Sequence, residues 1–358
     1  MIILCLLLLL SHAAESLYMG TTLDDCYAVA RSFNNTCTQA PKAPAPWTST
    51  FKSITQSCPD TRTFQLKSCQ IVVMLCVSCS QNATTGQVRM RVQTNGLPRG
   101  HCYGGQCPAQ RKIDFEVDFN KNVSMEKAIT FRSNNQFDDK ACSNMSLKVV
   151  PTWTNLKVYE DGHQMDDIAG IAINGGIIKA PIVKYMMDPY FPTFTLGRNF
   201  TQSPTFDTCL GFVDEQSTYG YIMLSPCISN SSMIAQNRSC GKDPFCSQDI
   251  KNHSLYFQNR QERVLGIAKD GHIIQSPFFY EGSFIRCTNL DQCGGYFMEQ
   301  QTYVYTWSNI FPYSMTCFGP GSQPSVYTAR CSENTCSGRY LMEVGLILMA
   351  LLQFIILI

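Results

Sequence analysis

The sequence predicts a mainly β fold, sandwich-like and stapled by disulfides, with an internally duplicated hairpin region and few short helices. Three observations carry this prediction. Two segments alternate apolar and polar residues with period two. A twelve-residue phrase with a tight-turn dipeptide at its centre is written twice. The cysteines are numerous, and their number becomes even once an apolar leader is set aside.

Taken in chain order, a short helix is expected near Asp24 to Phe33, and PKAPAPWTST (Pro41 to Thr50) reads as a stiff, extended connector. QIVVMLCVSCS (Gln70 to Ser80) is an unbroken apolar run with β-branched residues and is expected as a central strand. QVRMRVQT directs Val88, Met90 and Val92 to one face and Arg89 and Arg91 to the other. KIDFEVDFNK likewise turns Ile113, Phe115, Val117 and Phe119 inward and Asp114, Glu116 and Asp118 outward. Charges of opposite sign on those outer faces would pair if the two strands were neighbours. No stretch of mature chain sustains a 3.6-residue period over three turns. A boundary is expected near Asn144 to Pro151, and after Gly319 the composition turns to that of a stalk ending in CSENTCSGR.

The two ends predict an export route. MIILCLLLLLSHAAES (residues 1–16) combines an apolar run with small residues, the pattern of a secretory signal peptide. LMEVGLILMALLQFIILI, running to Ile358, matches a tail that directs addition of a glycosylphosphatidylinositol (GPI) anchor. Ser332, Asn334, Ser337 and Gly338 are the candidate attachment residues, and a retained single-pass tail anchor is the alternative topology. The expected plan is therefore leader 1–16, Cys-rich β region 17–150, duplicated region 151–321, stalk 322–338 and tail 339–358. Of 19 cysteines, Cys5 leaves with the leader, and 19 − 1 leaves 18, an even number for an oxidising compartment. A zinc site at Cys76, Cys79, Cys102 and Cys107 is the other reading of that cluster, and disulfides are preferred because exported thiols are oxidised. Eight N-x-S/T sequons, at Asn34, Asn82, Asn122, Asn144, Asn199, Asn230, Asn237 and Asn252, predict N-glycosylation at surface positions. A net charge of +1 with 15% charged residues gives no reason to expect a nucleic-acid partner.

The doubled phrase is GIAINGGIIKAP (Gly170 to Pro181) and GIAKDGHIIQSP (Gly266 to Pro277), offset by 266 − 170 = 96 positions. Asn174-Gly175 and Asp270-Gly271 suit a type I′ turn, so each copy is expected as a tight hairpin. Downstream, DTCLGFVDEQSTYGYIMLSPC (Asp207 to Cys227) and DQCGGYFMEQQTYVYTWSNIFPYSMTC (Asp291 to Cys317) share D-x-C-x-G, then Thr-Tyr-x-Tyr at the same spacing, then a further cysteine. Two elements recurring in the same order mark an internal duplication. Cys209, Cys227, Cys293 and Cys317 become disulfide candidates. Tyr219 and Tyr221, and Tyr303 and Tyr305, would each share a strand face. Half-buried core is the preferred reading of these tyrosines, and a stacking platform for a sugar or peptide is the other.

The order G-x-A-x-[ND]-G-x-I, D-x-C-x-G, Tyr-x-Tyr and FPYSMTCFGPG (Phe311 to Gly321) resembles the YHYH domain family of exported proteins, over roughly residues 151–321. The resemblance places the family's Tyr-His-Tyr-His motifs on Tyr219 to Ile222 and Tyr303 to Thr306. Gly220, Ile222, Val304 and Thr306 stand where histidines would, and these residues neither ligate a metal nor move protons near neutral pH. The degenerate motif therefore implies binding or a surface coat, with no catalysis, no cofactor and no metal at those positions. The implied partners are the membrane, through the C-terminal anchor, and an extracellular ligand or protein. The rival reading is a metal-binding protein or enzyme that uses His163 with Asp161, Asp166 and Asp167, or His272, which is expected exposed beside its turn. His101 and His253 complete the mature histidines.

Overall fold

The computed structural model describes residues 20–47, 52–59, 66–98, 108–121, 168–180, 206–207, 209–214, 217–228, 261–286, 289–290, 293–298, 302–309, 313–315, 318–319 and 328–331. The leader, the hydrophobic tail, the four anchor-site candidates, Cys102, Cys107, Cys317 and the boundary at 144–151 lie outside these residues, as do all candidate sequons except Asn34 and Asn82. No helix among the described residues is long and apolar enough to cross a membrane. In chain order the elements are α1 (Leu23–Arg31), β1 (Lys52–Pro59), β2 (Leu66–Val73), β3 (Leu75–Gln81), β4 (Val88–Thr94), β5 (Ile113–Asp118), β6 (Ile168–Ala172), β7 (Ile177–Lys179), β8 (Gly211–Val213), β9 (Tyr219–Tyr221), β10 (Val264–Ala268), β11 (Ile273–Gln275), β12 (Gly295–Phe297), β13 (Tyr303–Thr306) and β14 (Thr328–Cys331). The fold is mainly β, as the alternation predicts.

The N-terminal layer is built from the alternating segments. α1 begins at a reciprocal cap, in which the Asp25 amide donates to Thr22 Oγ1 (3.2 Å) and the Thr22 amide donates to Asp25 Oδ2 (2.9 Å). Its buried stripe, Cys26, Val29 and Ala30, repeats at three- and four-residue spacing. The helix is tied to β3 by the Cys26–Cys79 disulfide. Strands β3, β4 and β5 form an antiparallel sheet in the order β14-β5-β4-β3. β4 and β5 are neighbours, so the expected charge ladder exists. Arg91 donates to both Asp114 oxygens, Nε and Nη2 each at 2.8 Å, and Arg89 lies 3.4 Å from Asp118 and 3.6 Å from Glu116. Burial pushes the Asp118 carboxyl above its ordinary range, against the pull of Arg89.

Three expectations change here. The apolar run Gln70 to Ser80 is divided at Met74 between β2 and β3; among the described strands β2 pairs with β1 alone and β3 is the edge of the four-stranded sheet. It reads as central because the β3 edge is covered by residues 35–41: Val77 N donates to Asn35 Oδ1 (2.8 Å) and Cys79 N to the Pro41 carbonyl (2.8 Å). The proline-rich connector, expected extended, begins with a turn at residues 41–43 and docks on the sheet. Ala45 is buried with Met74 and Cys76, and its amide donates to Gln93 Oε1 (3.1 Å). Within the expected stalk, Thr328–Cys331 is β14, hydrogen-bonded antiparallel to β5.

The duplicated region forms one eight-stranded sheet in the order β12-β13-β11-β10-β6-β7-β9-β8. Read outward from the centre, each half repeats the same pattern: an antiparallel hairpin, a parallel neighbour carrying Tyr-x-Tyr, and an antiparallel edge strand opening with the glycine of D-x-C-x-G. The halves join where β6 pairs antiparallel with β10, Ala172 with Gly266, Ile171 with Ile267 and Gly170 with Ala268. Ile171 and Ile267 are offset by the same 96 positions as the phrases, so a pseudo-two-fold axis passes between them. Both hairpins carry a register shift at the matching place, between Ile168 and Gly170 and between Val264 and Gly266.

The two sheets share a core. Leu75, Val77, Val92 and Phe115 of the N-terminal layer cluster with Ile171, Ile177, Ile267, Ile273 and Val304 of the duplicated sheet, giving the sandwich. The opposite face of the eight-stranded sheet carries Ala172, Ile178, Ile274, Tyr219, Tyr221, Tyr303 and Tyr305. Strand alternation sends each hairpin's residues to both clusters in turn.

The glycines at the dyad are steric requirements. A Cβ on Gly170 would stand 2.6 Å from the Ile267 carbonyl oxygen, and one on Gly266 would stand 2.5 Å from that of Ile171. Gly266→Ala is accordingly expected to destabilise the protein by about 1–3 kcal/mol, the range for overpacking a tight interior. A lowered midpoint in chemical denaturation checks it, and an unchanged midpoint would mean that the two strands can separate at no penalty.

Candidate functional site

The sequence places its candidate residues at the hairpin turns and the Tyr-x-Tyr strands, and the fold brings these two sets together. Each turn is a three-residue loop rather than the expected type I′ pair. Gly175 N donates to the Ala172 carbonyl and Ala172 N to that of Gly176, and the same bonds recur from Gly271 to Ala268 and from Ala268 to His272. Positive φ falls on Gly175 (+87°) and Gly271 (+90°), and not on Asn174 or Asp270. A type I turn closed by a left-handed glycine has this form. It prevails because the Asx side chain works locally: Asn174 Oδ1 accepts from Gly176 N (3.1 Å) and Asp270 Oδ1 from His272 N (3.2 Å).

The remaining Asx atom explains why the phrase and the tyrosines recur together. Asn174 Nδ2 donates to Tyr221 Oη (3.0 Å), and Tyr305 Oη donates to Asp270 Oδ2 (2.6 Å). In each half the second tyrosine is thus hydrogen-bonded to the turn of its own hairpin. The first tyrosine lies over the glycine of D-x-C-x-G. A Cβ on Gly211 would sit 2.1 Å from Tyr219 Oη, and one on Gly295 would sit 2.3 Å from Tyr303 Oη. Tyr219 Oη donates to Asp207 Oδ2 (2.8 Å), while Asp207 Oδ1 accepts from the amides of Cys209 and Gly211, both at 2.9 Å. All four tyrosines are buried, at 1% exposure or less, so they are fully core rather than half-buried and offer no stacking platform. Their rings meet edge-on, Tyr219 to Tyr221 at 5.4 Å and Tyr303 to Tyr305 at 5.2 Å.

The positions where the family resemblance would put histidines each follow a tyrosine along the chain and fall on the other side of the strand. Val304 belongs to the core shared with the N-terminal sheet, and Ile222 to a small cluster with Leu210, Phe212, Met223 and Tyr313. Thr306 is buried, and a Cβ on Gly220 would meet Lys179 Cε at 2.8 Å and the Ile177 carbonyl at 2.9 Å. His272 is not exposed. It is 1% accessible, with its ring 5.2 Å from that of Tyr303 and 6.0 Å from that of Tyr305. The matching residue of the first half, Gly176, has no room for a side chain, because a Cβ there would stand 2.6 Å from the Tyr221 ring.

The halves also differ in a half-buried polar pair that sequence reading did not single out. Lys179 is paired with Asp214 at 2.5 Å, and its ammonium stands 5.2 Å from the Phe212 ring centre. Ninety-six positions on, Gln275 replaces the lysine and donates to the hydroxyl of Tyr296, the aromatic that replaces Phe212. Lining up the doubled phrases would have found this exchange of charge for neutral polarity, since Lys179 and Gln275 fall in register.

Cys76 and Cys79 do not form a metal pair. Cys79 bonds Cys26 and Cys76 bonds Cys37, from opposite faces of β3. Of the four candidates in the duplicated region, Cys209 and Cys227 bond each other, and Cys293 is disulfide-bonded to a cysteine whose side chain lies outside the described residues. Among the described residues, no three His, Cys, Asp or Glu side chains are grouped to hold a metal ion. His101, His163, His253, Asp161, Asp166 and Asp167 lie outside them. Comparison with protein-family models, with curated proteins and with solved structures finds no match to the chain.

Two measurements follow from this geometry. Burial raises the Asp207 carboxyl to about 7, opposed by the bonds from Tyr219, Gly211 and Cys209. An unfolded aspartate titrates near ~4. The folded state therefore holds its proton to higher pH, and stability from this group is complete below about pH 4 and lost as the pH rises towards 7. Thermal midpoints across that window are expected to fall for the wild type, and Asp207→Asn, which keeps an acceptor for the two amides, is expected to flatten the slope. A wild-type profile already flat would show that Asp207 stays ionised. Separately, if the duplication extends to the cross-links, proteolysis of the unreduced protein yields a peptide pair joining Cys293 to Cys317. Any other partner for Cys293 breaks that equivalence.

Proposed function

We propose that this protein is an exported, disulfide-stapled and N-glycosylated surface protein, held to the outer face of the membrane by a GPI anchor. In this reading it carries a degenerate YHYH-like duplicated region and acts by binding or as a coat rather than by catalysis. The observation that carries the proposal is where the motif's polar groups are used. The tyrosine hydroxyls of Tyr219, Tyr221 and Tyr305, the side chains of Asn174, Asp207 and Asp270, and the glycines beside them are engaged with one another inside the core. A catalytic or metal site needs such groups to converge on a space that a substrate or ion can enter. Here they lock hairpins to strands.

Three further features support the export part of the reading. The disulfides Cys26–Cys79, Cys37–Cys76 and Cys209–Cys227 suit an oxidising compartment. The two described sequon asparagines, Asn34 and Asn82, are both exposed. The terminal patterns at 1–16 and 339–358 fit a leader and an anchor signal.

Treating intact cells that express the full chain with a phosphatidylinositol-specific phospholipase C tests the anchor. Release of the protein into the medium is expected. Retention, with the protein detectable at the surface, would replace the lipid by a spanning tail. Elemental mass spectrometry of the released protein tests the non-catalytic part, where no stoichiometric transition metal is expected. About one metal per chain would instead favour the metal-binding rival.

A further inference from the structure

We propose that glycosylation of Asn34 is decided by a race between the transferase and folding, because the two residues that complete its sequon become part of the β3 edge. The inference rests on the export reading above. Asn34-Asn35-Thr36 is read by its transferase as an extended acceptor whose third residue offers a free hydroxyl; the asparagine amide nitrogen forms a bond to the sugar of a lipid-diphosphate-linked oligosaccharide donor and loses a proton as the lipid diphosphate leaves. In the folded protein that hydroxyl is occupied. Thr36 Oγ1 donates to the Leu75 carbonyl (3.1 Å) and accepts from the Leu75 amide (3.1 Å), while Thr36 N donates to the same carbonyl (2.7 Å). The middle residue is held too. Asn35 Oδ1 accepts from Val77 N (2.8 Å), and Asn35 Nδ2 donates to the Ala30 carbonyl at the end of α1 (2.9 Å). The next residue, Cys37, is bonded to Cys76, which lies between Leu75 and Val77.

Asn34 itself points outward and is exposed, and its backbone amide donates to the Ile173 carbonyl at the first hairpin turn (2.8 Å). A glycan attached beforehand therefore has room in the folded protein, whereas the transferase has no access to the sequon afterwards. The window is short in chain terms. The partners that close it, Leu75 to Val77, follow Thr36 by only 39 residues at Leu75, so they emerge soon after the sequon. Asn82-Ala83-Thr84 is the internal contrast. It sits at the tip between β3 and β4, Asn82 and Thr84 are exposed, and the Thr84 hydroxyl makes no hydrogen bond among the described residues. The Asn82 side chain accepts from the amides of Thr84 (2.8 Å) and Thr85 (3.1 Å), a local turn that leaves the third hydroxyl outside.

The test is site occupancy by glycopeptide mass spectrometry on the full chain expressed in secretory cells. Asn34 is expected to be partly occupied in the wild type and to rise towards full occupancy in Cys37→Ser or under a reducing pulse, with Asn82 unchanged. Cys209→Ser, which removes a disulfide in the duplicated region, separates a local race from slow folding in general and is expected to leave Asn34 as in the wild type. Full occupancy of Asn34 in the wild type, no response to Cys37→Ser, or an equal response to Cys209→Ser would each overturn the inference. Absence of glycan at both Asn34 and Asn82 would overturn the export reading and the inference with it.

Discussion

The antiparallel contact of β6 with β10 at Ile171 and Ile267 is the constraint on which the rest of the structure depends. It fuses two copies of one supersecondary unit into a single sheet, so neither copy presents its hairpin edge to solvent. Gly170 and Gly266 allow the approach, since each would drive a Cβ into the other strand's carbonyl. The two isoleucines are fully buried, each contributing about 1.5–3 kcal/mol by removal from water. Because the axis stands perpendicular to the sheet, the two halves present the same face to the N-terminal layer, and both hairpin turns meet it. Thr94 Oγ1 donates to the Gly175 carbonyl (2.9 Å), and Asn120 N donates to that of Gly271 (2.9 Å).

A buried polar group without a partner is expensive, and that penalty accounts for the composition of the repeat. Four tyrosines in one core bring four hydroxyls. Asx residues at the turns bond Tyr221 and Tyr305, and Asp207 bonds Tyr219. The Asx side chain serves two ends at once, closing its own turn and meeting a tyrosine from the strand parallel to its hairpin. This double use is a long-range reason for a residue that looks like ordinary turn chemistry. One divergence between the halves exchanges a charged pair for a neutral contact, where Lys179 with Asp214 gives way to Gln275 with Tyr296.

The N-terminal layer is stabilised differently. Its outer charges pair along the β4–β5 ladder, and its helix and the segment that follows it are stitched to β3 by the disulfides Cys26–Cys79 and Cys37–Cys76. A strand so apolar would invite edge-to-edge association if bare. Residues 35–41 take up its outward amides instead, which is why the same segment governs both the protection of β3 and the fate of its sequon.

Local periodicity by itself determined the mainly β class and the inward faces of β4 and β5, and the Asn-Gly and Asp-Gly dipeptides marked the two hairpins, because strand period and turn chemistry follow from backbone geometry that acts within a few residues. Repetition along the chain revealed the duplication and made Cys209 and Cys227 disulfide candidates, and the structure paired them. Only the tertiary structure decided that the copies meet at Ile171 and Ile267, that Asn174 and Asp270 choose a three-residue turn, that His272 is buried where Gly176 admits nothing, and that the run containing Leu75 is a covered edge rather than a central strand. Each of those outcomes is set by groups far apart in sequence. A tyrosine hydroxyl 47 residues from its asparagine, or a threonine hydroxyl 39 residues from the strand it caps, leaves no local signature. Their partners are chosen by the cost of leaving a buried donor or acceptor unpaired once the sheets have closed.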